Sequence, residues 1–140
     1  MRRFVAVAVT ALLALSSTAN AGEGKSFRAK LPTHTTSAAY SVQTVSVRTG
    51  CFSEELEGIL VHIAAKTGRK PIVTSGYRPH ASRAHSQHRH CAAADIRVPG
   101  VSEKTVIAAA KSAPGIGGIG RYCNGIIHVD TGPRRTWVDC

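Results

Sequence analysis

The first twenty-one residues and the four cysteines together restrict the possible folds more than any other feature of the 140-residue chain. Arg2 and Arg3 precede an apolar stretch from Phe4 to Leu15, and Ala19-Asn20-Ala21 then supplies small residues for cleavage, the layout of an export signal. That stretch falls short of the ~20 apolar residues that cross a bilayer. A cleaved signal over 1–21 is therefore expected, with a mature chain beginning near Gly22, no membrane span in it, and a periplasmic or secreted destination. Export places Cys51, Cys91, Cys123 and Cys140 in an oxidising compartment, where an even number reads as two disulfides rather than as redox or metal-binding thiols. None of them stands in a CxxC spacing, and all three pairings are open at this level. The remaining chain suffices for one hydrophobic core of the usual size, roughly 100 to 150 residues.

Charge adds a constraint on partners. The formal charge is +10, and without Arg2 and Arg3 the mature part carries +8. Such a surface suits an anionic partner such as wall polymer, acidic lipid or nucleic acid, although solubility alone also accounts for it. Nucleic acid is set aside, because the basic segments lack interleaved aromatic residues and any groove-reading motif.

Residues 22–48 are rich in Ser, Thr and Ala without sustained periodicity, and read as a flexible arm with one strand at Tyr40 to Val47. A domain over 49–140 follows. Ser53 can cap a helix whose first turn holds Glu54 and Glu55 and whose apolar stripe is Leu56, Ile59, Leu60 and Ile63; Gly68 ends it. Ile72 to Tyr77 reads as a strand, Pro79 to His90 as a polar loop, and Cys91 to Val98 as a second strand with Asp95 and Arg97 on one face. A second helix is capped by Ser102 and stopped by Pro114-Gly115. Strands around 116–122, 126–130 and 135–138 complete an α+β fold: a small, mostly antiparallel sheet flanked by two or more helices.

Three residues have the chemistry of a catalytic metal centre, in which His and carboxylate ligands leave one position open. His88 stands seven residues before Asp95, with Ala92, Ala93 and Ala94 between them keeping the backbone slim. His128 lies in the apolar run Ile126 to Val129, where a polar ring needs a partner. At the two-residue period Asp130 shares its face, so a core histidine bonded to Asp130 is the alternative to a ligand.

Four ordered motifs then carry a resemblance: Ser75-Gly76-Tyr77-Arg78; Ser86-Gln87-His88 through Asp95; Gly117-Gly118-Ile119-Gly120-Arg121-Tyr122; and His128-Val129-Asp130-Thr131-Gly132-Pro133 with Arg135 and Trp137. Over about residues 51–140 the chain resembles the zinc D-alanyl-D-alanine carboxypeptidase family, and in particular its branch of periplasmic murein endopeptidases. The resemblance implies one Zn2+ ion held by His88, Asp95 and His128. It also implies a substrate-binding, oxyanion-stabilising role for Arg78, and hydrolysis of peptide bonds next to D-amino acids in peptidoglycan peptides; separately, the chain is expected to be a monomer. The chain departs from several members at Gly125, where they place an acidic general base three residues before the last histidine. Asp130 is the nearest carboxylate, offered either as the base or as a residue orienting His128 through its free ring nitrogen. A noncatalytic, zinc-containing wall-binding module is the alternative that Gly125 motivates. Of the remaining loop groups, His80, His85 and His90 read as solvated, Ser86 as bonding the loop backbone through its side chain, and Trp137 as core.

Overall fold

The computed structural model describes residues 39–140; the signal and most of the arm lie outside the described residues. The chain runs β1 (Ser41–Val42), α1 (Glu54–Thr67), β2 (Ile72–Ser75), a 3-10 helix (Gln87–His90), β3 (Ala93–Arg97), α2 (Glu103–Lys111), β4 (Gly118–Tyr122), β5 (Ile127–Asp130) and β6 (Arg135–Asp139).

Both helices begin where their caps dictate. The Ser53 hydroxyl accepts from the Leu56 amide at 3.2 Å, three glutamates occupy the first turn of α1, and Gly68 ends it in the left-handed region at φ 66°. The Ser102 hydroxyl likewise accepts from the Thr105 amide at 3.2 Å. Leu56, Ile59, Leu60 and Ile63 bury one stripe of α1, and Val106, Ala109 and Ala110 bury the facing side of α2. Each of the large side chains contributes about 1.5–3 kcal/mol by leaving water.

The six strands form a single sheet in the order β1-β2-β3-β5-β4-β6. Its four central strands pair antiparallel, and the two edge strands, β1 on β2 and β6 on β4, pair parallel, so the α+β sheet is mixed rather than uniformly antiparallel. Val73, Ala94, Ile96, Ile119, Ile127 and Val129 project from one face into the helices and form the core. The alternate residues form the other face, which neither α1 nor α2 covers.

Two strands differ from expectation in their bounds. The strand expected over Tyr40 to Val47 is only Ser41–Val42, since the chain turns at once, with the Val47 amide bonding the Thr44 carbonyl. Tyr40 is nevertheless buried, its ring 6.0 Å from that of Phe52. The strand expected from Cys91 begins at Ala93, because Cys91 takes a left-handed conformation, φ 58°, as it closes the 3-10 helix that the sequence did not announce within the loop. The disulfides are Cys51–Cys91, tying the start of α1 to that turn, and Cys123–Cys140, tying the β4–β5 turn to the end of β6. Among the described residues no helix is long and apolar enough to cross a membrane.

Candidate metal centre

The strand registers place the polar residues of the uncovered face side by side. Asp95 on β3 pairs with His128 on β5, His128 with Gly120 on β4, and Gly120 with Trp137 on β6. One row below, Ala93 pairs with Asp130, and Gly118 with Arg135. The two glycines, two residues apart on β4, leave its surface bare. A Cβ on Gly118 would meet the Asp130 carboxylate and the Arg135 guanidinium, and one on Gly120 would meet the Trp137 indole. Side chains from β5 and β6 therefore meet across β4.

His88 arrives from outside the sheet. The 3-10 helix sets it over β3, and its Nδ1–H donates to the Gly76 carbonyl at 2.6 Å. A carbonyl can only accept, so Nδ1 carries the proton and Nε2 presents a lone pair. His128 is fixed in the opposite tautomer: Nε2–H donates to the Asp130 carboxylate at 2.8 Å, leaving the lone pair on Nδ1.

Those two lone pairs and the Asp95 Oδ1 converge. His88 Nε2 lies 3.2 Å from His128 Nδ1 and 3.3 Å from Asp95 Oδ1, and His128 Nδ1 lies 2.9 Å from Asp95 Oδ1. All three residues are buried. Three electron-rich atoms with no hydrogen among them repel one another unless a cation sits between them. Tetrahedral zinc with bonds of roughly 2.0–2.2 Å spaces its ligand atoms about 3.3 Å apart, so the donor set and its dimensions fit that ion. A proton is the other possible occupant, and the electrostatics reflect this. Burial works against charge on His128, but hydrogen bonds to Asp130 and Asp95 outweigh it and raise its pKa. Burial likewise works against the Asp95 anion, yet hydrogen bonds from His128 and His88 hold its carboxyl far below the usual carboxylate range.

Asp130 lies behind His128. Its carboxylate is wholly buried, at 0% exposure, and touches His128 on the ring edge opposite the converging lone pairs. Besides His128 Nε2–H, it accepts from the amides of Gly118 and Gly132, both at 2.8 Å, and from the Arg135 guanidinium at 2.6 and 3.3 Å. Burial would raise its pKa, but the His128 bond and the two amides bring it down to about 2. The alternation of β5 gave the shared face correctly; it could not say which edge of the imidazole Asp130 would take. Gly125, where an acid was the expectation, lies in the β4–β5 turn at φ 81°, a backbone conformation that favours glycine.

Arg78 stands at the mouth, 48% exposed, its guanidinium 3.5 Å from the Asp95 Oδ2. It lines a cleft of about 620 Å³ together with His88, His128, Tyr122, Arg135 and Trp137. His80, His85 and His90 are exposed, as expected of solvated positions. Two expectations need correction. Ser86 makes no side-chain capping bond; its backbone carbonyl instead accepts from the Arg89 amide at 3.0 Å. Trp137 is not core, because β6 presents it to the open face, its ring centroid 5.0 Å from that of His128. Sequence reasoning missed the roles of Gly118, Gly120 and Arg135, although the Gly-x-Gly spacing on a strand is a visible sign of a bare face.

A peptidase M15 family model matches residues 33–130. No curated protein and no solved structure matches the chain.

Proposed function

The chain belongs to the peptidase M15 family, and from that premise we propose that it is a zinc-dependent peptidase that hydrolyses peptide bonds next to D-amino acids in peptidoglycan stems or cross-links, in the periplasm or after secretion. The observation that carries the reading is the convergence of His88 Nε2, His128 Nδ1 and Asp95 Oδ1 at 2.9 to 3.3 Å in a buried cluster.

A zinc ion in that position supplies Lewis-acid polarisation of the scissile carbonyl and a water of lowered pKa. The chain's own residues do the rest. The Gly76 carbonyl and Asp130 select the tautomers of His88 and His128, so that both rings offer lone pairs inward. Arg78 carries positive charge at the rim of the cleft, beside Asp95, suited to the negative charge that the carbonyl oxygen of a bound peptide gains as its carbon becomes tetrahedral. Asp130, with its oxygens occupied and no exposed surface, acts by orienting His128 rather than as the general base. The cleft is open at the surface and large enough for a short peptide, and the half-exposed Arg78 at its mouth suits the carboxylates of peptidoglycan stem peptides.

Purified protein incubated with insoluble cell wall is expected to release peptide fragments, to stop on addition of a chelator, to resume with zinc, and to be inactive as His128→Ala. Mass spectrometry of the fragments identifies the bond. Stoichiometric zinc binding with no release from any defined stem peptide would overturn the enzymatic reading in favour of a wall-binding module, the alternative that Gly125 raises.

A further inference from the structure

We propose that Arg135 is a positioning residue of the metal centre: it fixes the carboxylate oxygen with which Asp130 holds His128, and thereby the direction of the lone pair that His128 offers. The inference rests on the reading of His128 as a metal ligand.

The two oxygens of Asp130 are held differently. Oδ1 accepts from the amides of Gly118 and Gly132, both at 2.8 Å, and from the Arg135 Nη1 at 3.3 Å. Oδ2, the oxygen bonded to His128 Nε2, has one other donor among the described residues, the Arg135 Nη2 at 2.6 Å. Backbone amides thus anchor one oxygen of the carboxylate, and Arg135 alone anchors the oxygen that matters to the imidazole. A charge-assisted fork of this kind fixes orientation as well as distance, which a single ammonium cannot do.

Arg135 is itself held for this task. Its Nη1 also donates to the Pro133 carbonyl at 2.9 Å, and its guanidinium lies 5.1 Å from the centre of the Trp137 ring. It can reach Asp130 only because Gly118 places nothing between β5 and β6. The strand that carries it lies beyond residues 33–130, the part matched by the family model. The last strand therefore contributes to the metal centre without supplying a ligand.

The test measures zinc affinity directly, by competition against a chromophoric chelator, on the full chain and on Arg135→Met, Arg135→Lys, Asp130→Asn and the Asp130→Asn/Arg135→Met double variant. Losing a partner that orients a metal ligand commonly weakens affinity by about 10- to 100-fold. That loss is expected for Arg135→Met, with Arg135→Lys intermediate and the double variant no weaker than Asp130→Asn alone. In proton NMR the His128 Nε2–H resonance of the wild type is expected to move in Arg135→Met while core methyl resonances stay in place. Wild-type affinity in Arg135→Met, or losses that multiply in the double variant, overturns the proposal; if Arg135→Met does not fold, Arg135→Lys carries the same comparison. Failure of the wild type to bind zinc would instead bring down the reading of the site itself, so the two failures are distinguishable.

Discussion

The two faces of the sheet are built from alternate residues of the same strands, yet they obey different rules. Toward the helices, Val73, Ala94, Ile96, Ile119, Ile127 and Val129 pack by volume and apolarity, properties that many residue combinations satisfy. Toward the cleft, Asp95, His128 and Asp130 are also buried, but each is placed by a specific donor or acceptor, and two glycines are needed simply to leave room. One face is filled by apolar volume; on the other, each polar group has a named hydrogen-bond partner. The helix-covered face is thus the scaffold that allows an electrostatically unfavourable cluster to persist on the opposite side.

That contrast can be broken in order of expected effect. Ile96→Ala on the core face should cost about 2–5 kcal/mol of stability, read by denaturant unfolding, while the protein still folded at low denaturant binds zinc as the wild type does. An equal loss of zinc affinity in the folded fraction would show that the faces are not independent. Gly120→Ala on the open face should cost less, about 1–3 kcal/mol from overpacking against Trp137, and should lower turnover more than a core change of the same stability cost.

The third test is pH. In zinc-free protein, Asp130 has a folded pKa brought down to about 2, below its ordinary unfolded value. A depressed carboxylate contributes stability that is complete above the unfolded pKa and is lost as pH falls through the folded one. Wild-type stability should therefore decline between about pH 4 and 2 more steeply than that of Asp130→Asn, followed by thermal unfolding across that range. Parallel acid limbs would remove Asp130 from the account. The smallest effect belongs to the exposed Arg83–Asp139 pair at the rim, 3.2 Å apart. Asp139→Asn should change stability by no more than about 1 kcal/mol, and added salt should erase the difference.

Much of the fold was legible because its signals are local. Ser53 and Ser102 cap their helices, as expected of serines just before a helical stripe, and Gly68 ends α1. The chemistry of His88, Asp95 and His128 was suggested by residue type and by the resemblance, and the structure brings all three together. The 3-10 helix at Gln87–His90 was not legible, since four residues in a polar loop carry no periodic signal. Nor was the place of Trp137, whose apolar bulk suggests core while its register with Gly120 sets it beside His128.

By itself the sequence determined the helices, the alternation of the strands and the residue types able to bind a metal, because each depends on neighbours within a few positions, while chain length bounded the core to one. Tertiary structure decided which cysteines pair, which nitrogen of each histidine faces inward, on which edge of His128 the Asp130 carboxylate lies, and that Arg135 completes its hold. Those choices depend on registers such as Asp95 with His128 and Gly118 with Arg135, set by how the whole sheet packs rather than by any local stretch of chain.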